Sequence, residues 1–202
     1  MPLKPVFIHE IKKNIQPKFM KLPDQITYTS GDKLGTKRYW EMQGGMDTVH
    51  ILINKTDSRE LLFAKQVRPP VLVKHPETGG ICTECCAGMV DCYEETAPEL
   101  RPFKVAAAEI HEEMGYKVHI DDLAKLPTYI SNVGLSGSTC YPFYCEVTDA
   151  DFVGQNLTES EDIEVLAIPY EELRYFLQTC KTTDATTRLL IQYFILEYGN
   201  TW

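Results

Sequence analysis

Two segments that lie fourteen residues apart decide the fold of this chain: Ala87-Gly88-Met89-Val90-Asp91-Cys92-Tyr93-Glu94 and Glu109-Ile110-His111-Glu112-Glu113-Met114-Gly115-Tyr116. Pro102 suits the first turn of a helix, where its missing N–H is not needed, and Gly115 suits a left-handed cap just past the end. These two residues predict a helix over roughly residues 102–114. Its apolar positions fall mostly on one side and predict packing against a sheet.

Three carboxylates share the other side of this predicted helix. Glu109, Glu112 and Glu113 stand at i, i+3 and i+4, which places them on a common face at 3.6 residues per turn. Like charges at this spacing repel, and no Lys or Arg lies between them. A hard divalent cation such as Mg²⁺ or Mn²⁺ takes oxygen ligands and removes most of the repulsion. The alternative is an acidic face that is only solvated, and the three glutamates alone do not exclude it.

The residues of both segments together resemble the signature of the Nudix hydrolase family. The family pattern is Gly, five residues, Glu, seven residues, and then Arg-Glu-apolar-x-Glu-Glu-x-Gly-apolar. Gly88, Glu94 and the segment 109–116 match this pattern in the expected order. The resemblance implies an enzyme that hydrolyses a diphosphate bond with the help of a divalent cation.

Two departures from the family pattern lie between the segments. Thirteen residues separate Glu94 from the position of the family arginine, and that position holds Ala108. The extra length resembles a six-residue insertion around residues 97–101, which leaves the helix intact because a longer surface loop costs little. The missing arginine matters more, since in the family it helps to orient the glutamates. Lys104, one turn earlier, is a candidate to take over part of that task.

The resemblance assigns roles to acidic residues outside the helix as well. It implies that the carbonyl of Ala87 holds the cation together with Glu109, Glu112 and Glu113. An acidic loop, Thr158-Glu159-Ser160-Glu161-Asp162, resembles the corresponding loop of ADP-ribose pyrophosphatases. By that resemblance Glu159 is the general base and Glu161 completes the metal cluster, so that Glu159 and Glu113 are the expected catalytic residues. Acidic loops are otherwise only solvated.

Three stretches resemble substrate-binding segments of the family branch that splits ADP-ribose and UDP-sugars. In Gln66-Val67-Arg68-Pro69-Pro70, the planar fork of Arg68 is expected to bind phosphate, and the alternative is a solvated charge. Glu84 lies just before the Ala-Gly pair, either near the substrate or on an edge strand. The run Ser131-Asn132-Val133-Gly134-Leu135-Ser136-Gly137-Ser138 resembles the substrate-side loop of UDP-sugar diphosphatases, so Gly134, Leu135 and Ser136 are expected to bind substrate. A plain Gly/Ser turn has the same composition.

The fold class that these patterns predict is α/β, a Nudix-type α/β/α sandwich with a mixed sheet. We assign an N-terminal antiparallel β appendage to residues 1–43 and the Nudix domain to residues 44–202. Strands at residues 48–54 and 60–67 form a predicted hairpin, and residues 81–87 a further strand. The resemblance implies a homodimer in which the appendage packs across the partner.

Two further patterns concern apolar side chains. The last helix begins after its cap Asp184 and carries an apolar stripe that is expected in the core: Leu189, Leu190, Tyr193, Phe194 and Leu196. In the appendage, Tyr39 and Trp40 either stack on a nucleobase or pack within their hairpin.

Composition excludes some classes of protein. The formal net charge of −9 argues against a nucleic-acid surface, which usually shows clustered Lys and Arg. No apolar run approaches membrane-spanning length, and the first twenty residues hold no apolar core of secretory length, so we expect a cytoplasmic protein without membrane partners. Seven cysteines without a regular framework predict reduced thiols. For Cys82, Cys85, Cys86 and Cys92 we expect buried strand thiols rather than a zinc site, because a second ligand pair with matching spacing is missing.

Residues and resemblance together predict a Mg²⁺-dependent hydrolase that cuts a nucleoside diphosphate sugar into a nucleoside monophosphate and a sugar 1-phosphate. The resemblance alone favours UDP-glucose, and ADP-ribose or another ADP-sugar is the alternative. A hypothesis from a different class is a Nudix domain of weakened catalytic power that only binds a nucleotide sugar. Ala108 favours this hypothesis, and the retained glutamates oppose it.

Overall fold

The structure is a computed structural model that describes residues 8–11, 24–28, 37–159 and 161–199. Much of the proposed appendage over residues 1–43 therefore lies outside the described residues, and so does Ser160 in the acidic loop.

The strands are β1 (Asp24–Tyr28), β2 (Arg38–Met42), β3 (Thr48–Lys55), β4 (Glu60–Val67), β5 (Ile81–Glu84), β6 (Cys86–Met89), β7 (Ala124–Lys125), β8 (Tyr129–Ile130), β9 (Thr139–Val147) and β10 (Ile163–Pro169).

Helices lie between and after these strands along the chain. They are α1 (Pro69–Lys74), α2 (Arg101–Glu109), a π-helical turn (Ile110–Met114), α3 (Leu173–Thr179) and α4 (Ala185–Tyr198). Short 3₁₀ turns lie at Pro76–Thr78, Pro98–Leu100, Ile120–Asp122, Asp149–Asp151 and Tyr170–Glu172.

A mixed sheet forms the middle layer, with the order β10-β4-β3-β9-β7. β3 runs parallel to β9, and the predicted β3–β4 hairpin is antiparallel. Successive side chains of a strand point to opposite faces. Accordingly, Val49, Ile51 and Ile53 join one buried cluster with residues of α2, and Leu52 joins a second cluster with residues of α3 and α4. The prediction of an α/β/α sandwich is therefore confirmed.

The chain between residues 81 and 89 changes its strand partner halfway. β5 pairs with the end of β4, whereas β6 pairs with the start of β3. At the break, the N–H of Cys85 donates to Oγ1 of Thr187 in α4 at 2.8 Å instead of to a strand. The single strand predicted at residues 81–87 is therefore two strands, and the second continues through Gly88. Because these strands insert between β3 and β4, the two long strands separate and a cleft opens there.

The helix that carries the glutamates is α-helical only in its first part. α2 ends at Glu109, and the following residues form a π-helical turn, so the predicted continuous helix over residues 102–114 is corrected. Gly115 has a φ of 81°, and a Cβ added there would lie 2.8 Å from the backbone nitrogen of Gln155. The predicted left-handed glycine cap is thus confirmed. π-helical turns widen the helix by one residue per turn and are frequent at functional sites.

The side chains that α4 buries differ in part from the predicted apolar stripe. Leu190 and Phe194 are buried as expected, but Leu189 and Leu196 are exposed and Ile191 is buried instead. Asp184 caps the helix as predicted, because its side chain accepts a hydrogen bond from the N–H of Thr187 at 2.8 Å.

β1 and β2 form a small antiparallel sheet of their own. Tyr39 and Trp40 of β2 are exposed, so burial within the hairpin does not account for them. The indole N–H of Trp40 donates to the carbonyl of Gly134 at 3.1 Å, which joins this sheet to the predicted substrate-side loop. In the parts of the chain that the structure describes, no helix has the length and apolarity needed to cross a membrane.

Candidate active site

A cleft of about 700 Å³ opens where β3 and β4 separate, and we call it the carboxylate cleft. Five of the residues selected from the sequence border it: Arg68, Ala87, Glu109, Glu113 and Glu161. The other lining residues are Thr48, His50, Gln66, Val67, Pro69, Gly88, Met89, Asp162 and Ile163. Residues that are distant in sequence therefore meet in one concave site, with several carboxylates and one guanidinium group.

Strand register explains why the acidic loop meets the end of β4. Gln66 lies opposite Ile163 in the antiparallel pair of β4 and β10. Glu161 and Arg68 lie just beyond this pair, on the acidic loop before β10 and after the end of β4, and both border the cleft. β6, which carries Ala87 and the neighbouring glycine, lies along β3 on the other wall of the cleft.

Gly88 is the position where the backbone of β6 comes closest to the helix. A Cβ added to Gly88 would lie 2.0 Å from Oε1 of Glu109 and 2.4 Å from its Cδ. Only a residue without a side chain leaves room for this carboxylate. The glycine of the sequence pattern thus has a physical role, since it lets Glu109 lie against the strand.

Glu113 is buried at the base of the cleft. Its Oε2 accepts a hydrogen bond from the N–H of Ala87 at 3.2 Å. Burial raises the pKa of Glu113 to about 7, although this hydrogen bond and the positive charge of Arg68 act in the opposite direction.

Glu109 is half-buried and surrounded by negative charge. Burial raises its pKa to about 8, and repulsion from Glu113, Glu112 and Glu161 contributes in the same direction. Without a cation in the cleft, Glu109 and Glu113 therefore stay protonated to a higher pH than an ordinary glutamate. The cleft favours a positively charged ligand.

Arg68 is bound to Glu84 within the chain. Its Nε donates to Oε2 of Glu84 at 3.0 Å and its Nη2 at 2.5 Å. Gln66 donates to the same carboxylate at 3.3 Å. Side-chain exposure is 46% for Arg68 and 14% for Glu84, so the guanidinium reaches the cleft while the carboxylate holds it from behind. Arg68 keeps its Nη1 donors for a ligand.

Other predicted site residues lie outside the lining of the carboxylate cleft. Glu112 is half-buried and acts on Glu109 only through its charge. Glu159 is exposed on the acidic loop. Leu135 and Ser136 border a neighbouring cavity, and Gly134 borders a shallow pocket beside Tyr39 and Trp40.

Arg101 and Lys104, two basic residues at the start of α2, both contact the longer loop that precedes this helix. Arg101 donates to the carbonyls of Thr96 at 3.0 Å and Glu94 at 2.6 Å, which fastens the longer loop to the helix and leaves the helix intact. Lys104 donates to Oγ1 of Thr96 at 3.0 Å and lies over the ring of Tyr93. The prediction that Lys104 orients the glutamates is therefore wrong, because its ammonium group is used by this loop.

The residues of the cleft fit a hard divalent cation. Carboxylate oxygens and backbone carbonyls are the donors that Mg²⁺ and Mn²⁺ prefer. Burial is the main cause of the raised pKa values of Glu109 and Glu113, neighbouring carboxylates add to it, and a bound cation would favour the charged form of both. Within the described residues, no three His, Cys, Asp or Glu side chains already form a ligand set. Glu109, Glu113 and Glu161 are the side chains that would hold the ion.

Sequence reasoning missed two polar residues of the cleft, Thr48 and His50. Both lie in β3, where the sequence gives only the pattern of a strand, whereas Gln66 belongs to the run that resembles a substrate-binding segment. The partner change of residues 81–89 brings this part of β3 to the cleft, and no local signal indicates it.

No protein-family model matches the chain. Uridine diphosphate glucose pyrophosphatase NUDT14 of Bos taurus is 32% identical over an alignment of 169 positions that covers 70% of this chain and 74% of that protein. The chain belongs to the Nudix hydrolase family. The NUDT14 protein of Mus musculus is 31% identical, again over 70% of this chain and 74% of that protein. GDP-mannose pyrophosphatase of Enterobacter sp. (strain 638) is 30% identical over 83% of this chain and 82% of that protein.

Membership in the Nudix family confirms the resemblance that the sequence pattern indicated, and with it the predicted class of enzyme, a hydrolase of this family. The Nudix signature of this chain occupies β6, α2 and the π-helical turn, and two of its glutamates border the carboxylate cleft.

Replacing Gly88 by Ala is expected to lower kcat/KM by about 10²-fold, the usual effect of a misplaced catalytic group. The added methyl group meets the side chain of Glu109 rather than backbone, so the carboxylate moves and the fold does not. Turnover and urea unfolding are measured together. Cys92→Ala, an exposed change just beyond β6, is the control. Full activity of Gly88→Ala would contradict the proposed placement of Glu109.

The metal-free protein is expected to lose stability as the pH rises from about 5 to 8. Glu109 and Glu113 have folded-state pKa values of about 8 and about 7, above their ordinary value of 4.5, so the folded state binds more protons than the unfolded state in this range. The free energy of unfolding is measured in EDTA. The decrease should be smaller in Glu113→Gln, and Mg²⁺ at pH 8 should restore stability to the wild type. Identical slopes for both proteins would contradict the burial of this charge.

Proposed function

We propose that this Nudix protein hydrolyses the diphosphate bond of a nucleoside diphosphate sugar with a divalent cation, Mg²⁺ or Mn²⁺, as cofactor, and that UDP-glucose is its substrate. The observation that carries the proposal is the meeting of Glu109, Glu113 and Glu161 with Arg68 in one cleft. The crowded carboxylates suit a cation, and the guanidinium suits an anion. The cleft therefore suits an anionic substrate together with a cation.

In this proposal Arg68 holds the diphosphate. Its guanidinium is planar and fixed by Glu84, so its remaining donors are oriented before the substrate arrives. Water attacks one phosphorus, a new P–O bond forms, and the bond from that phosphorus to the bridging oxygen breaks. The products are a nucleoside monophosphate and a sugar 1-phosphate.

The carboxylates of Glu109, Glu113 and Glu161, with the carbonyl of Ala87, are the groups that would hold the cation, and Glu112 adds negative charge beside them. When bound, such an ion balances the charge of the phosphate oxygens and makes a neighbouring water a better nucleophile. Glu84 acts through Arg68, which it orients.

We assign the general base to Glu159, on the resemblance of the acidic loop and on its position two residues before Glu161. An exposed carboxylate on a loop is free to accept the proton of the attacking water. Leu135 and Ser136 contribute to substrate binding from the neighbouring cavity, and Gly134 contributes from the shallow pocket beside Tyr39 and Trp40.

The choice of UDP-glucose rests on similarity. Relatives from Bos taurus and Mus musculus are uridine diphosphate glucose pyrophosphatases, and a relative from Enterobacter is a GDP-mannose pyrophosphatase. GDP-mannose is therefore the second candidate substrate, and ADP-ribose, from the sequence resemblance, is the third. The binding-only hypothesis loses support because Ala108 borders a separate cavity with Lys104 and His111, outside the lining of the carboxylate cleft.

Incubation with Mg²⁺ and a panel of UDP-glucose, GDP-mannose and ADP-ribose tests the substrate class. Released phosphate is measured after coupling to a phosphatase, because only the monoester products are substrates for it. We expect UDP-glucose to be hydrolysed fastest and EDTA to abolish the reaction. Binding of UDP-glucose in calorimetry without hydrolysis of any panel member would instead support the binding-only hypothesis.

Replacing Glu113 by Gln is expected to lower kcat by at least about 10²-fold, since interactions with a catalytic metal contribute several kcal/mol to transition-state stabilisation. The substitution keeps the shape of the buried side chain, so the fold should persist. Glu99→Gln, an exposed position on the preceding loop, is the matched control and should keep full activity. Comparable turnover of Glu113→Gln at saturating Mg²⁺ would exclude the assigned role.

Replacing Glu159 by Gln is expected to lower kcat by about 10²- to 10⁴-fold, the usual contribution of a general base, while Mn²⁺ affinity stays unchanged. Turnover and Mn²⁺ titration by electron paramagnetic resonance are measured on the same sample. A wild-type kcat in this variant would assign the base to another group.

A homodimer and the division into an appendage over residues 1–43 and a catalytic domain over residues 44–202 belong to the same proposal. The residues of β1 are all exposed, and a two-stranded sheet is marginally stable alone. A second copy of the chain would cover it.

A further inference from the structure

The residues 153–156, which we call the capping segment, lie against the end of the helix that carries the glutamates. A Cβ added to Gly115 would lie 2.8 Å from the backbone nitrogen of Gln155 and 2.9 Å from the carbonyl carbon of Gly154. The N–H groups of Val153 and Gly154 both donate to the carbonyl of Gly115, at 2.8 and 3.1 Å. The backbone of Gln155 is therefore fixed beside the π-helical turn.

Two backbone carbonyls at the end of this helix are bound by the capping segment. The last carbonyls of a helix have no partner within the helix itself. The N–H of Asn156 donates to the carbonyl of Glu112 at 3.0 Å, and Nε2 of Gln155 donates to the carbonyl of Glu113 at 2.5 Å. The side chain of Gln155 thus holds the backbone of the glutamate that is buried at the base of the carboxylate cleft.

The same amide nitrogen also binds the first residue of β10. Nε2 of Gln155 donates to the carbonyl of Ile163 at 3.2 Å. A side-chain amide has two N–H groups, so one nitrogen serves both carbonyls. Gln155 is therefore a bridge between the π-helical turn and the strand that follows the acidic loop.

The bridge restricts the position of Glu161. This residue lies two positions before Ile163, a span of chain of at most about 7 Å. The N–H and hydroxyl of Thr158 donate to Oε2 of Glu161 at 2.8 and 2.9 Å, and the N–H of Glu161 donates to the carbonyl of Thr158 at 3.1 Å. A displacement of Ile163 would therefore move Glu161 together with its partner Thr158.

The two ends of the bridge differ in how firmly the fold holds them. Glu113 belongs to the π-helical turn, and its carboxylate accepts a hydrogen bond from the N–H of Ala87 at 3.2 Å. Ile163 forms the last pair of the β4–β10 ladder, with Gln66. The ends of such elements open more readily than their middles. Loss of the Gln155 amide would therefore displace the acidic loop and not the helix.

We propose that Gln155 is a positioning residue, which holds Glu161 at the distance from Glu109 and Glu113 at which the three carboxylates bind one cation. Such ions demand a narrow range of ligand distances, so a small displacement of one ligand weakens binding. The inference rests on the proposed function in one respect, the assignment of Glu161 to the cation.

Mn²⁺ affinity, measured by electron paramagnetic resonance on substrate-free protein, tests this inference without turnover. The wild type, Gln155→Met, Glu161→Gln and the variant with both changes form a double-mutant cycle. Met keeps the length and bulk of Gln155 and removes its N–H groups. Gln192→Met, a change of an exposed glutamine on α4, is the matched control.

We expect Gln155→Met to weaken Mn²⁺ binding by about 10-fold, the lower end of the usual effect of residues that orient metal ligands. In the Glu161→Gln background, the same substitution should change the dissociation constant by less than about twofold, because the carboxylate that it positions is gone. The Mg²⁺ concentration for half-maximal turnover should rise in Gln155→Met, with kcat recovered at saturating Mg²⁺. Gln192→Met should match the wild type.

Three results would overturn the inference. Equal weakening in both backgrounds would assign Gln155 a general structural role, and no weakening in either would leave its amide without effect on the cation. Mn²⁺ binding of wild-type strength in Glu161→Gln would remove Glu161 from the set of metal ligands, and the positioning role with it.

Two further measurements keep the outcomes distinct. Thermal unfolding in EDTA shows whether Gln155→Met is folded. If it is not, Gln155→Asn, whose side chain is one methylene shorter and no longer reaches both carbonyls, takes its place in the cycle with the same criteria. Failure of the proposed function would appear differently, as a wild type in which Gln155 and Glu161 are coupled in Mn²⁺ binding but which hydrolyses no nucleotide sugar.

Discussion

Repulsion among partly buried carboxylates is the constraint on which the structure of the site depends. Glu109 and Glu113 lie in one cleft with Glu161 nearby, and burial raises the pKa of both helical glutamates. The nearest guanidinium, that of Arg68, is already bound to Glu84. The fold therefore holds negative charge together at a cost in stability, which is typical of a binding site and not of a surface adapted for stability. A glycine opposite Glu109 and a strand that changes its partner are the two features that make this arrangement possible.

Much of the fold and the helical part of the site followed from the sequence. Pro102 and Gly115 predicted the helix and its glycine cap, and the spacing of Glu109, Glu112 and Glu113 predicted its acidic face, because capping residues and helical periodicity are local properties of the chain. Family resemblance added Arg68 and Glu161, which the structure brings to the same cleft. The resemblance also predicted the α/β/α sandwich, and the apolar runs at residues 48–54 and 60–67 predicted its hairpin.

Other features depend on hydrogen bonds or contacts between distant segments, and no local pattern encodes them. The end of α2 at Glu109 is set by the π-helical turn, which uses residues that an α-helix accepts equally well. Lys104 turns to the loop, where it contacts Thr96 and Tyr93, and these contacts form between residues that the family pattern leaves unspecified. His50 reads as an ordinary strand residue, and only the pairing of β3 with β6 and β9 brings it to the border of the carboxylate cleft.

Anomalous diffraction from crystals soaked in Mn²⁺ tests the central claim most directly, because it locates the cation without any assumption about the reaction. The account predicts a strong peak in the carboxylate cleft, within about 2.5 Å of carboxylate oxygens of Glu109, Glu113 and Glu161 after their side chains turn toward it. Peaks confined to other acidic surfaces, with these three carboxylates free of metal at saturating Mn²⁺, would contradict it.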